Sequence, residues 1–398
     1  MKIALTGGAG IQAMSAMIYL LDQPDVTEIF VSDAYNLDRV RERVARLDDR
    51  RLVVAALDCT DEAAATKAFT GYDVVINSAM VRGHFIKTTR AALAAGAHYL
   101  DMTSLGEEPQ QFALHPQFEQ QGLTCILDMG TAPGLSNLMA VYCMEKLDKT
   151  DSIDYAWGVI DTVAAQEHTR PLNWGYGFDG IMGLMSGPSI VFEDGEIKHL
   201  PPRSRPELFP FKSGPQYIKG MPHREPVMLA DSFPDAGFKH VMYRQAFDAD
   251  SDRKYAFLRD LGFASREPLD VKGVKVAPFD VLWALLQKLP EERGTPASYV
   301  SEGNCIVRGW KEGKPLEVRL MIRTDPASEM HRHYTSRGAA GSYRTGICAA
   351  AAAAMIGRGL VTKRGVFRPE KGVPAGPYIA EQARVGMEVE ETVTVRLS

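Results

Sequence analysis

The segment Gly7-Gly8-Ala9-Gly10-Ile11-Gln12-Ala13 joins an apolar run, Lys2–Thr6, to an apolar helical pattern, and an acid, Asp33, ends the next apolar run. Each residue type has a separate physical job. Gly8 suits a tight strand-to-helix turn, Gly10 lets backbone approach a ligand closely, and Ala13 lets the helix pack near the strand. The helix start at Ile11 and Gln12 offers unpaired N–H groups and a positive dipole end to phosphate. Asp33 stands where a carboxylate can accept both hydroxyls of an adenosine ribose. The pattern points to a dinucleotide. Asp33 would repel a 2′-phosphate, and Ala34-Tyr35 supply no adjacent cation, so NAD is expected ahead of NADP. Arg39 is the cation in sequence reach that would favour the phosphate.

Other residues able to do chemistry follow the same rhythm. Asp58, Asn77-Ser78-Ala79, Asp101 and Asp128 each end or follow an apolar run, where ligands of a parallel sheet gather. Asn77 and Ser78 could bond a nicotinamide ribose or simply cap a turn. His84 is a candidate acid or base because imidazole titrates near neutrality. Lys87, one helical turn further, could serve instead or pair with a carboxylate. Asp101 could touch ligand or cap the next helix. Pro133 suits the first position of a helix, and Asn137 one turn in would add a neutral amide to the same rim. Arg82, Trp174, Tyr176 and Arg244 are candidate substrate contacts, Arg244 because a planar guanidinium grips a carboxylate bidentately. His331-Arg332-His333 lacks a third ligand at helical spacing, and no metal site is expected.

The elements that must position these groups are legible as well. Apolar runs Lys2–Thr6, Glu28–Ser32, Leu52–Ala56, Asp73–Asn77, His98–Asp101 and Thr124–Asp128 alternate with helical patterns near 36–47, 61–70, 84–95 and 107–121. That alternation predicts an α/β fold with a Rossmann-type doubly wound parallel sheet. Past about residue 150 the alternation stops. Ser152–Ile160, Ser189–Phe192 and Cys305–Val307 read as strands, with Pro- and Gly-rich turns between several segments and a helix over Pro278–Leu289. An α+β substrate domain with a mostly antiparallel sheet is expected there. The run of six alanines from Ala349 predicts a helix docking back on the first domain. The expected domains are therefore 1–132 with 345–398, and 133–344.

Composition sets outer bounds. Forty-five per cent of the 398 residues are hydrophobic and 24 % charged, with a net charge of -5. Nothing there favours nucleic acid or an anionic membrane. The chain begins at once with a strand, so no leader is expected, and a cytoplasmic location follows. The five cysteines are scattered without a Cys-x-x-Cys pair, consistent with reduced thiols. No Gly-x-Ser-x-Gly elbow, Walker lysine or catalytic Cys-His pattern was found, against hydrolase and kinase readings.

These residues resemble the saccharopine dehydrogenase-like family along most of the chain. The resemblance is carried by the opening GGAGIQA, Leu57–Ala64, Asp73–Ala79, Ala95–Ser104, Asp128–Ala140 and the tail Thr345–Val373. Asp128–Ala140 is similar to the family's Gly-x-x-Pro-Gly-x-x-Asn signature. The resemblance implies a nicotinamide-dependent oxidoreductase moving a hydride at a C–N bond of an amino acid or opine-like compound, with an imine on the path. It also implies a homodimer, and it places His84 near a site histidine of saccharopine reductases. Lysine oxidised at its side-chain amine is the leading specific case. A carboxynorspermidine- or saccharopine-type reductase is the alternative, as is a dinucleotide sensor without turnover. This chain has Gly183-Leu184-Met185 where lysine 6-dehydrogenases carry an acid, Val241–Ala246 in place of their Thr-Ile-Arg-Tyr-Pro-Gly-His segment, and Met80 where members often have proline. Fold and cofactor therefore follow from the resemblance; lysine as substrate does not.

Overall fold

Alternating apolar strands and helices build an all-parallel sheet from the N-terminus onward. In the computed structural model, which describes residues 1–80, 83–162, 171–172, 177–289 and 299–395, the succession is β1 (Lys2–Thr6), α1 (Ile11–Leu21), β2 (Glu28–Asp33), α2 (Leu37–Leu47), β3 (Leu52–Ala56), α3 (Glu62–Phe69), β4 (Val74–Asn77), α4 (Phe85–Ala94), β5 (His98–Asp101), α5 (Glu108–Phe112), α6 (His115–Gln120), β6 (Thr124–Ile126) and α7 (Leu135–Met144). The expected helix near 107–121 is two short ones.

Across the sheet the order is Gly365–Phe367, β6, β5, β4, β1, β2, β3. The six expected strands are joined by a seventh from the C-terminal region, parallel to β6. Every pairing is parallel, and the order reverses between β1 and β4. That reversal opens a crevice beyond the C-terminal ends of those two strands.

The chain divides into two units. One comprises Met1–Lys146, Asp231–Pro234 and Ala327–Met387; the other comprises Leu147–Ala230, Asp235–Pro326 and Glu388–Ser398. The expected boundaries differ in four places. The helix Leu135–Met144, Asp231–Pro234 and residues 327–344 go with the parallel sheet, and Glu388–Val395 leaves it because it pairs as a strand with Leu316–Arg323.

The alanine-rich helix, Arg344–Gly357, returns to the first unit as expected and is buried from Gly346 to Ile356. A Cβ at Gly346 would lie 2.1 Å from the Gln12 carbonyl oxygen and 2.3 Å from Ser15 Oγ. Glycine and alanine are thus what allow this helix to lie against α1. The small side chains convert helix propensity into close packing.

The second unit is built on a nine-stranded sheet. Its centre is Lys149–Asp161, Tyr299–Lys311 and Lys314–Thr324, paired antiparallel in succession. One pairing departs from the antiparallel expectation: His240–Gln245 runs parallel to Ser152–Trp157. Among the described residues no helix is long and apolar enough to cross a membrane, and all five cysteines are buried.

Candidate active site

Three glycines shape the crevice floor, with duties distributed differently from the sequence expectation. The left-handed residue of the β1–α1 turn is Gly7 (φ 69°). Any Cβ on it would strike Ala79 N at 2.7 Å, so it also lets the ends of β1 and β4 touch. Gly8 packs against β2, where a Cβ would meet Val31 Cγ1 at 2.5 Å. Gly10 is exposed and stands at the start of α1, which has no side-chain cap and no acid in its first turn. The backbone N–H groups there are presented to an anion.

Asp33 closes one side of this loop. Its Oδ2 accepts the Ala9 N–H at 3.2 Å, while Oδ1 accepts those of Tyr35 (3.1 Å) and Asn36 (3.0 Å). Arg43, from α2, donates to the carbonyls of Gly8 (3.0 Å) and Gly10 (2.5 Å). Burial, with Arg39 adding to it, pushes the Arg43 guanidinium down to about 10. These residues fit a dinucleotide: an uncapped helix start for its diphosphate and a fixed carboxylate for its ribose. Gln12 divides its roles, since its side chain turns to Ser342 (3.4 Å) and the Gly346 N–H (3.1 Å). Only its backbone remains at the helix start, beside the partly exposed Ile11.

At the end of β4 the side chains point inward. Asn77, 1 % exposed, accepts from Thr6 Oγ1 (2.8 Å), donates to the Tyr99 hydroxyl (3.0 Å) and lies 3.4 Å from His84 Nε2. Ser78 Oγ donates to the Thr6 carbonyl at 2.6 Å, and the Ala79 N–H bonds Asn77 Oδ1. Asn77 therefore ties β1, β4 and β5 together, and its side chain does not face a ribose. His84, also 1 % exposed, precedes α4, and its ring is tilted 45° against that of Phe85 with centroids 4.3 Å apart. Lys87 reaches the Thr60 carbonyl at 3.2 Å, and Asp58 is held below the usual carboxylate range by the Thr60 hydroxyl and N–H.

Asp101 is fully enclosed. Its Oδ1 accepts the Asp128 N–H (2.8 Å) and its Oδ2 accepts Gln111 Nε2 (2.9 Å). Burial, reinforced by Asp128, raises its carboxyl well above the ordinary range. Asp128 is raised too, by burial, against the opposing N–H and hydroxyl of Ser104. Glu107, which sequence reasoning passed over, accepts the N–H groups of Gly83 (2.6 Å) and Ile86 (3.0 Å) and so caps α4 from another loop. Asn137 caps its own helix, accepting the Gly134 N–H at 3.1 Å, just after Pro133.

Arg244 lies in the second unit. It is committed to Asp154 (3.0 Å) and Glu207 on its own sheet, which removes it as an open carboxylate clamp. Asp154 also holds Arg308 and His240, and these partners outweigh burial to keep its carboxyl low. His333 pairs with Asp22 at 2.6 Å. Arg82, Trp174 and Tyr176 lie outside the described residues.

Comparison with known proteins decides the family. Residues 4–126 match the model described as the saccharopine dehydrogenase NADP binding domain, and residues 130–387 match the saccharopine dehydrogenase C-terminal domain. The chain belongs to the saccharopine dehydrogenase family. It is 30 % identical over 302 residues to the carboxynorspermidine synthase of Vibrio alginolyticus, covering 73 % of this chain and 69 % of that one. The carboxyaminopropylagmatine dehydrogenase of Synechocystis is 24 % identical over 408 residues, covering 98 % of both. The fold is that of apo saccharopine dehydrogenase (L-Glu forming) from Saccharomyces cerevisiae, with a TM-score of 0.74, 15 % identity and 99 % of each chain covered. Membership in this oxidoreductase family brings a nicotinamide dinucleotide as cofactor. The matched domain is named for NADP, against the expectation of NAD.

Proposed function

We propose that this saccharopine dehydrogenase family member interconverts a carboxyl-bearing secondary amine with an amine and a carbonyl compound. The observation that carries the proposal is the glycine loop at the β1/β4 reversal, where an uncapped helix start faces a fixed carboxylate. The names of its relatives supply the substrate class: carboxynorspermidine and carboxyaminopropylagmatine are carboxylated polyamine-like compounds. A bound nicotinamide dinucleotide supplies or accepts a hydride at the carbon joined to nitrogen. The N–H groups of the glycine loop and α1 would hold its diphosphate, and Asp33 its adenosine ribose. Ser78 and Ala79 stand at the other side of the reversal, for the nicotinamide half.

NAD is the carrier we favour, despite the name of the matched domain. Asp33 ends β2, and Arg43 spends its guanidinium on the carbonyls of Gly8 and Gly10, away from a 2′-phosphate. Arg39 is the exposed cation that would support NADP.

The test is reduction of NAD⁺ or NADP⁺ by the purified chain with carboxynorspermidine, carboxyaminopropylagmatine, saccharopine and lysine in turn. Turnover of one of the first three, faster than of lysine, supports the reading. Lysine as best substrate would restore the lysine 6-dehydrogenase reading, and dinucleotide binding without turnover would favour a sensor. We place the chain in the cytoplasm as a homodimer, and sedimentation velocity at micromolar concentration checks the dimer.

A further inference from the structure

Within the glycine loop, each backbone N–H from Gly8 to Gly10 is already bonded. Gly8 donates to the Ser32 carbonyl at 2.8 Å, Ala9 to Asp33 Oδ2 at 3.2 Å, and Gly10 to the Gly7 carbonyl at 2.8 Å. The N–H groups left for a diphosphate are those that open α1, from Ile11 onward. Their direction then decides whether an anion is held. We propose that Arg43 is the positioning residue that sets this direction; the proposal rests on the dinucleotide reading above.

Arg43 Nη1 donates to two carbonyls of the loop, that of Gly8 at 3.0 Å and that of Gly10 at 2.5 Å. In a trans peptide the C=O and the following N–H point opposite ways. Drawing the Gly10 carbonyl toward α2 therefore turns the Ile11 N–H away from α2. The Gly8–Ala9 peptide is held at both ends, its carbonyl by Arg43 and its N–H by Asp33. Neither bond survives a flip of that plane.

Such a clamp is needed because of the loop's own composition. Glycine at 8 and 10 gives the backbone wide freedom, so little in the chain itself forbids a flipped peptide. A flipped peptide would place a carbonyl oxygen, with its partial negative charge, where the diphosphate is expected. Bonds from a guanidinium are charge-assisted, and two of them favour the unflipped form. Arg43 reaches the loop from α2 (Leu37–Leu47) and is only partly exposed. Arg39, one turn before it, is exposed and bears on Arg43 through its charge.

The diphosphate is common to NAD and NADP, so this role does not sense a 2′-phosphate. Asp33 differs in that respect, since its second duty falls on the ribose. The two residues that grip one peptide plane are therefore separable by the part of the ligand each one affects.

The experiment titrates the full chain and its Arg43→Met and Arg43→Lys variants with NADH, NADPH, ADP and adenosine by calorimetry. Arg43→Met should weaken NADH, NADPH and ADP by a similar factor, about 10- to 150-fold, the equivalent of one charge-assisted bond. Adenosine carries no phosphate and should stay within about twofold, which also shows that the variant is folded. Arg43→Lys keeps the charge and a donor without the planar fork, and should recover part of the loss. The loss should persist in about 0.5 M NaCl, where an exposed charge is screened. Arg39→Met should leave ADP affinity within about twofold of wild type. A loss confined to NADPH would make Arg43 a 2′-phosphate contact and overturn the proposal. Unchanged ADP affinity, an equal loss of adenosine, or a loss abolished by salt would overturn it too. In each of these cases the dinucleotide reading stands. A wild type that binds neither NADH nor NADPH would overturn that reading itself.

Discussion

Asp101 Oδ1 accepts the backbone N–H of Asp128 at 2.8 Å, so the acid that ends β5 holds the chain as it leaves β6. The bond joins two residues whose carboxyl groups are both enclosed and both raised by burial. Because the folded-state value of Asp101 is above its unfolded one, its favourable contribution is complete below the ordinary carboxyl range. It is lost as pH rises toward the raised value. Asp101→Asn keeps the acceptor for Asp128, and Gln111, whose Nε2 donates to Oδ2 and whose Oε1 has no partner among the described residues, turns its amide over to accept from the new N–H₂. The variant should therefore melt higher than wild type at pH 8, and the gap should narrow as pH falls toward 5, by calorimetry. A variant that melts lower throughout that range would show that Asp101 is ionised and needed as such.

Asp33→Asn tests the cofactor assignment. Two charge-assisted bonds to ribose hydroxyls, at roughly 1.5–3 kcal/mol each, together correspond to a loss of about 150- to 25,000-fold in NAD affinity. NADP should be affected much less, because the change also removes a repelling charge. Titration of both dinucleotides against the variant reads the ratio; equal losses would remove Asp33 from the ribose.

Glu107→Ala should loosen the start of α4. Two N–H groups, of Gly83 and Ile86, lose their carboxylate, and loss of a helix cap costs about 0.5–2 kcal/mol. Thermal melting reads the stability, and Glu107→Gln, which keeps one acceptor, should recover about half of the loss.

Gly346→Val should be among the most damaging single changes in the first unit. A side chain there meets the Gln12 carbonyl at 2.1 Å and Ser15 at 2.3 Å. Overpacking of this kind costs about 1–3 kcal/mol or more. The expected result is a fall in Tm of several degrees together with weaker dinucleotide binding, since α1 begins at the glycine loop. Unchanged melting would mean that the two helices can part without cost.

The parallel sheet was legible because its signals are local. A period of two for strands, helical spacing between them and glycine at a turn are all written within short windows. The return of Arg344–Gly357 was legible too, from alanine alone, whereas Gly365–Phe367 was missed because three residues give no period. Side-chain direction was the weaker part. Asn77, Asp101 and Arg244 have the right chemistry, but strand geometry turns the first two inward, and cross-strand carboxylates hold the third. Glu107 went unread for a related reason, since it acts on residues more than 20 positions away.

The route of the polypeptide has a consequence for its biogenesis. The backbone passes from one unit to the other after residues 146, 230, 234, 326 and 387, so neither is a contiguous stretch of translated chain. The face of α1 that receives Gly346 has to wait for more than three hundred further residues, and the second sheet waits for its closing ribbon, Glu388–Val395. A ribosome stalled at residue 330 would hold two half-built bodies with apolar faces bare, a natural client for chaperones.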